Sequence, residues 1–316
     1  MLHFGRGLDA SCLTLVLTLC FTAMTSVQCH AVAIAPPQAS LHRVIYYYQT
    51  LTDLSPVINN LNPTTRRPYA TDINLAAFHL GPQSDGTFIH LNDHPPDDPT
   101  FNTPWRQLAQ LQKMGVKLHM MLGGAACCSY RSLFGNWNKL YPVLKQTLQK
   151  HYFNGIDLDI EESVALSNVQ HLIDQLTLDF GSRFEITLAP VASDLTGGRG
   201  LSGFSYKSLY QSPEGKKIAW FNTQFYNGFG SLASTSDYDK AIKNGFPPGK
   251  VVAGMLGNPQ DGGGYVNMNQ IARTVKLLTS KYSNFGGVFS WEYFRTLPGG
   301  TSNPDRWSRL MAQATL

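Results

Sequence analysis

The sequence predicts a single-domain α/β fold, a (β/α)₈ barrel, and three observations carry that prediction. Eight short apolar runs rich in β-formers recur between residues 43 and 290, with helical patterns between most of them. No glycine-rich turn follows the first run, which disfavours the rival, an open doubly wound sheet that holds a dinucleotide. One run carries acidic residues at alternate positions, an arrangement suited to the C-terminal end of a barrel strand, where such folds keep their chemistry. At 316 residues the chain is long enough for one such barrel. Its 43% hydrophobic and 15% charged residues, with a mean hydropathy of −0.16, are those of a soluble globular protein.

Taken in order, residues 1–30 read as a secretory signal peptide: Arg6, then the apolar run Leu13 to Phe21, then small and polar residues. That run is too short to span a bilayer, no other segment qualifies, and the last residues lack an apolar anchor tail, so a secreted, extracellular protein off the membrane is expected. Of five cysteines, Cys12 and Cys20 fall in the leader and Cys29 at its end. Cys127 and Cys128 are adjacent, a spacing unsuited to an ordinary staple, and no His stands at metal-ligand spacing from them. The net charge of +4 is unchanged by loss of the leader, which holds one Arg and one Asp. Basic residues pair at most as Arg66-Arg67 and Lys216-Lys217, so nucleic acid is not an expected partner and a neutral substrate is.

A Pro/Ala-rich linker over 31–40 leads into the barrel, expected over 41–316. Strands are predicted at 43–49, 73–80, 117–123, 155–161, 185–190, 220–226, 251–256 and 287–290. The clearest helices are predicted at 105–114, 137–152, 164–180, 269–282 and 306–313. Ile271, Val275 and Leu278 form the apolar stripe of the fourth of these helices. Gly262-Gly263-Gly264 lacks any phosphate-loop context and reads as a flexible loop. No repeat, low-complexity tract or accessory module is apparent.

The fourth strand is the centre of the chain. In Asn154-Gly155-Ile156-Asp157-Leu158-Asp159-Ile160-Glu161, period-two alternation puts Asp157, Asp159 and Glu161 on one face and the aliphatics against the outer helices. Like charges about 7 Å apart in low dielectric repel, so at least one pKa is expected to rise, as suits a general acid. The alternatives are a solvated strand face or a carboxylate-lined metal site; the latter is disfavoured because hard cations usually draw their oxygens from flexible loops. Elsewhere, Gln224 and Tyr226 share a face at the end of the sixth strand, followed by Asn227. A tyrosine there either bonds a substrate amide or simply packs. The eighth strand leads into Trp291, which offers a large apolar face for a sugar ring; Tyr48 stands at the end of the first, where core packing is the equal alternative.

The acidic stretch resembles the DxxDxDxE signature of glycoside hydrolase family 18, which contains chitinases and endo-β-N-acetylglucosaminidases. Asp157, Asp159 and Glu161 match, and Asn154 stands where the first Asp is usual. Gln224-Phe225-Tyr226 is similar to the family's Q-F-Y, and Trp291 to its aromatic floor. Gly123-Gly124 is similar to the end of its S-x-G-G, with Met121 in place of Ser, so the hydrogen-bond support behind Asp157 must differ. Longer stretches, among them 186–193, 201–206 and 297–301, resemble the secreted fungal endo-β-N-acetylglucosaminidases of this family. The resemblance implies hydrolysis of the β-1,4 bond between the two core N-acetylglucosamines of N-glycans, with no metal or other cofactor. Glu161 would be the proton donor, Asp159 and Tyr226 would hold the acetamide, and Asp157 would support them. Trp291, Gln224, Tyr48 and Asn227 would bind substrate. The expected partners are N-glycans of glycoproteins, met by a monomer. The alternatives are a chitinase acting on chitin oligomers and, from another class, a barrel that binds glycans without catalysis.

Overall fold

The computed structural model describes residues 42–316 apart from Cys127; the leader and linker expected over 1–40 lie outside the described residues. Among the described residues nine strands are present: β1 (Arg43–Tyr48), β2 (Asp72–Leu80), β3 (Ile89–Leu91), β4 (Lys117–Gly123), β5 (Gly155–Asp159), β6 (Glu185–Leu188), β7 (Ile218–Gln224), β8 (Val251–Leu256) and β9 (Gly287–Trp291). All but β3 run parallel in the order β1-β9-β8-β7-β6-β5-β4-β2, and pairing of β1 with β2 closes the ring. The protein is an eight-stranded parallel barrel surrounded by helices. β3 is an addition, antiparallel to the end of β2. It escapes the period-two pattern because it is only three residues long.

The described residues also form the α-helices α1 (Ser55–Asn59), α2 (Asn102–Lys113), α3 (Ser129–Gly135), α4 (Trp137–Lys150), α5 (Leu166–Phe180), α6 (Ala192–Thr196), α7 (Tyr206–Gln211), α8 (Ser236–Lys243), α9 (Met268–Lys281) and α10 (Arg306–Ala314). The predicted stripe holds in α9, where Ile271, Val275 and Leu278 are buried while Leu277 is 61% exposed. Asn267 caps this helix by accepting a hydrogen bond from the Asn269 N–H at 2.9 Å. In α5, Val169, Leu172, Ile173 and Leu176 are buried against the sheet, each contributing about 1.5–3 kcal/mol of gross hydrophobic stabilisation. The helix stops at Gly181, whose φ of +77° suits glycine. Among the described residues no helix is long and apolar enough to cross a membrane.

Two apolar layers result. The outer one joins the helices to the outward residues of the strands, including Ile156 and Leu158 of β5 and the following Ile160. The inner one fills the barrel with Ile45, Tyr47, Met121, Trp220, Val252 and Phe289. Cys128 is disulfide-bonded.

Candidate active site

β5 delivers the carboxylates as its alternation requires. Asp157 is fully buried, Asp159 is 4% exposed, and the strand ends there rather than at Glu161. Glu161 therefore projects from the first turn beyond the strand, half-buried. The chain can pass so close to β4 because Gly123, at φ +97°, has no Cβ; one would sit 2.3 Å from the Asp159 carbonyl oxygen.

Asp157 receives three hydrogen bonds: Tyr47 Oη to its Oδ2 at 2.5 Å, and Thr187 Oγ1 and Asn222 Nδ2 to its Oδ1 at 2.6 and 2.9 Å. These donors account for the altered support that Asn154 and Met121 imply. Asn154 itself lies at the opening of β5, where its Oδ1 accepts from the Leu118 N–H at 2.9 Å. Burial lifts the Asp157 carboxyl above the ordinary range, and the bonds from Thr187, Tyr47 and Asn222 pull it part of the way back. Asp159 is raised well above the ordinary range by burial and then by the charges of Glu161 and Asp157. Glu161 is raised by burial, with Gln224 opposing. A site with three carboxyls and no adjacent cation therefore holds protons that free carboxyls would lose.

Gln224 acts between two of them. Its Nε2 lies 3.2 Å from Asp159 Oδ1, 3.5 Å from Glu161 Oε1 and 2.9 Å from the Ala189 carbonyl. Its amide thus sets the spacing of the carboxylates as well as lining the cleft. Tyr226 is 5% exposed, and burial followed by the Asp159, Glu161 and Asp157 charges raises its hydroxyl pKa well above the usual value. Asn227, at φ +55°, accepts from the Gly263 N–H through Oδ1 at 2.8 Å and donates its own N–H to the Gly263 carbonyl at 2.8 Å. The glycine run expected to be a flexible loop is thereby tied down, and Asn227 is part of the tie.

These side chains converge on a cavity of about 230 Å³ whose lining includes Asp159, Glu161, Gln224, Tyr226, Asn227 and Trp291. Tyr48 does not join them. It points outward, packs edge-on against Tyr293 at 5.7 Å and donates to the Thr52 carbonyl. Its neighbour Tyr47 is the residue of β1 that faces the cleft, beside Trp291 at 5.6 Å. In a run of three tyrosines the residue types carry no alternation, so only the register of the strand separates them.

Two further glutamates escape sequence reasoning. Glu162, directly after Glu161, accepts from the Tyr130 and Arg131 N–H groups at 2.8 and 3.1 Å, pinning its turn to α3. Glu292, directly after Trp291, accepts from the Gln49 and Thr50 N–H groups at 3.1 and 2.7 Å, and from Thr50 Oγ1 at 2.6 Å. Each anchors the backbone of the residue before it. A charged side chain immediately next to a cleft residue was the available signal.

Among the described residues, one group has ligand atoms close enough to share a metal ion: Asp72, His119 and Glu185, within 4.8 Å of one another. It lies at the opposite end of the barrel. His119 Nε2 is already 3.0 Å from Glu185, Lys117 also bonds Glu185, and Arg43 adds its charge to both acids. The group is an internally neutralised ion network.

Comparison with known proteins agrees with this geometry. No family model matches the chain. A fungal endo-β-N-acetylglucosaminidase from glycosyl hydrolase family 18 superposes with a TM-score of 0.79 and 40% identity, over 87% of this chain and 98% of that one. The chitinase ChiC from Aspergillus fumigatus gives a TM-score of 0.76 and 40% identity, over 87% of this chain and all of that one (100%). Endochitinase 4 of Metarhizium anisopliae is 25% identical over 206 residues, which is 53% of this chain and 72% of the relative. With two such neighbours aligned over nearly their whole length, the chain belongs to glycosyl hydrolase family 18 and is a glycoside hydrolase.

Proposed function

We propose that the protein is an endo-β-N-acetylglucosaminidase that cleaves the β-1,4 bond between the two core N-acetylglucosamines of N-glycans. The observation that carries this reading is the convergence of Asp159, Glu161, Tyr226 and Trp291 on one small cavity. Glu161 protonates the glycosidic oxygen as it leaves. The substrate's own acetamide oxygen attacks the anomeric carbon, giving an oxazoline with Asp159 against the acetamide N–H and Tyr226 against its oxygen. Glu161 then deprotonates a water that opens the ring with net retention. Trp291 forms the floor under the sugar, and Asp157 supports Asp159 from below. In the free protein Asp159 is the more strongly raised of the pair. An acetamide N–H donated to its carboxylate favours the charged form, so binding substrate moves the shared proton towards Glu161.

The endoglycosidase reading draws on the 40% identity to the fungal enzyme of that activity. A chitinase is the second reading, favoured equally by ChiC and by the endochitinases of Metarhizium. Intact Asp159 and Glu161 argue against a barrel that only binds. The test is to treat a high-mannose glycoprotein and a chitin oligomer side by side and weigh the products. Release of glycan with one N-acetylglucosamine left on the protein supports the endoglycosidase; shortening of the oligomer alone supports the chitinase. We propose further that residues 1–30 are removed on secretion, which N-terminal sequencing of the extracellular protein tests.

A further inference from the structure

A cavity of about 1120 Å³ forms a groove beside the reaction cleft. The two share Gln49, His79 and Ala126 as walls. The groove is built around the β2–β3 hairpin, which adds β3 to the barrel strand β2. Its volume exceeds the roughly 300–1,000 Å³ of ordinary small-ligand sites, so it has room for several sugar rings. Its lining is rich in hydrogen-bonding groups, among them His79, Gln83, His94, Asp93 and Ser84. Phe101 is the one phenyl, phenol or indole side chain in that lining, and it is itself buried. A linear β-1,4 N-acetylglucosamine chain presents flat apolar faces that call for aromatic platforms. Mannose branches present hydroxyls at many angles and call for dispersed donors and acceptors.

We propose that this groove seats the branched, mannose-rich part of an N-glycan, and that His79 reads the sugar next to the cleft. The proposal rests on the endoglycosidase reading above. Cleavage between the core sugars leaves a single sugar on the protein, so almost all of the glycan must be accommodated on the other side of the cut bond. A small cleft opening into one broad groove fits that asymmetry. His79 stands on the shared wall, and its Nδ1 is buried with no hydrogen-bond partner among the described residues. Burial holds its imidazole below the usual pKa, the main effect against the opposing charge of Asp93. A neutral ring offers a donor on one nitrogen and an acceptor on the other, and a sugar hydroxyl can complement either one.

The experiment compares kcat/KM for three substrates: a Man9GlcNAc2 glycopeptide, the same peptide trimmed to GlcNAc2, and chitohexaose. The enzymes are the full protein, His79→Leu, His79→Asn and the groove-filling Ser84→Trp. The expected wild-type result is a preference of at least about 100-fold for the branched over the trimmed glycopeptide, comparable to one or two well-placed polar contacts. His79→Leu and Ser84→Trp should each reduce that ratio by about tenfold or more, and His79→Asn should restore part of it. Equal cleavage of both glycopeptides by the wild type would overturn the groove assignment while leaving the endoglycosidase reading intact. Variants that lose both glycopeptides in parallel would overturn it too, since the groove would then act only through the cleft or the fold. Cleavage of chitohexaose with neither glycopeptide touched would instead overturn the endoglycosidase reading, and the mannose assignment with it.

Discussion

Acidic residues sit at both ends of this barrel, and the N-terminal end holds one of them, Glu185, below the ordinary carboxyl range while the C-terminal end holds none there. At the N-terminal end, Asp72 and Glu185 lie with His119, Lys117 and Arg43. Burial alone would lift the Glu185 carboxyl, but the bonds and charges of His119 and Lys117 hold it down at about 2. At the C-terminal end, Asp157, Asp159 and Glu161 have neutral donors and one another, with only a lesser pull from the charge of His119 on Asp157, and all three are raised. Asp72 is raised too, because its burial outweighs the opposing effects of His119, Thr71 and Arg43, so the contrast lies between Glu185, held down by its cationic partners, and the uncompensated acids of the C-terminal end. A compensated acid is committed to its charge and contributes stability. An uncompensated one can give up or take a proton and contributes chemistry, at a cost to stability.

The sharpest way to break this contrast is to remove charges at the mouth. Glu161→Gln takes away the proposed proton donor and should lower hydrolysis by about 10³-fold or more. Asp159→Asn should lower it by about 10²–10³-fold, as for loss of a positioned electrostatic group. The two should part company on a preformed sugar oxazoline with an N-acetylglucosamine acceptor. That donor is already past the step that needs Asp159, so Asp159→Asn should still transfer the glycan while Glu161→Gln does not. Equal inactivity of two folded variants on the oxazoline would remove Asp159 from its assigned role.

A second comparison uses stability against pH, where Glu185 and Asp159 should respond with opposite signs. The folded pKa of Glu185 lies below its unfolded value, so its contribution is fully present above about pH 4.5 and disappears as pH falls towards 2. The shift from 4.5 to about 2 corresponds to an upper bound of about 3 kcal/mol for a group whose side chain is 21% exposed. Glu185→Gln should therefore lower Tm by several degrees at pH 6, with the gap closing below pH 3 and kcat unchanged. Asp159 is raised, so its ionisation destabilises the fold as pH climbs from the unfolded pKa, about 4, through the folded one. Asp159→Asn should raise Tm at pH 7 by a few degrees, with no gain at pH 4. Thermal melts of both variants across pH 2.5–8 decide it. A loss at neutral pH in both would mean that counter-charge does not distinguish the two acids.

The mouth was largely legible in the sequence and the floor was not. Asp157, Asp159 and Glu161 announce themselves because three acids on one strand face break the pattern of a buried strand, and the break is local. Asp72, His119 and Glu185 are each one ordinary polar residue near the start of a different strand, and only closure of the barrel brings them together. The ring of strands was legible for the same local reason, through recurring apolar runs, whereas β3 was too short to register. The groove depends on that hairpin and shares its obscurity. Tyr47 was masked by identical neighbours, so the aromatic residue at the end of the first strand was assigned one position too late.

The smallest expected effect tests how the mouth is kept in order. Tyr47 is the sole donor to Asp157 Oδ2 among the described residues, since Thr187 and Asn222 both address Oδ1. Tyr47→Phe preserves the ring against Phe289 at 4.8 Å and Trp291 at 5.6 Å while deleting the hydroxyl. Losing a bond to a buried, ionisable carboxyl should cost about 1.5–3 kcal/mol of stability when Asp157 is charged. The bond holds the Asp157 pKa down, so its loss raises that pKa further and Asp157 carries its charge less readily. The charge of Asp157 is one of the causes that lift Asp159, so the Asp159 pKa should fall as Asp157 becomes neutral. With its proton held less tightly, Asp159 should ionise at lower pH and the acidic limb of the rate profile should move down. The peak kcat should fall by about tenfold or less, because Asp157 no longer braces the geometry. A double-mutant cycle with Asp157→Asn separates this route from packing. In the Asp157→Asn background the carboxylate is gone, so adding Tyr47→Phe should change neither the limb nor kcat by more than about twofold. If the Tyr47 effect persists there at full size, Tyr47 acts through the Trp291 ring, and the Asp157 charge is not what its hydroxyl controls.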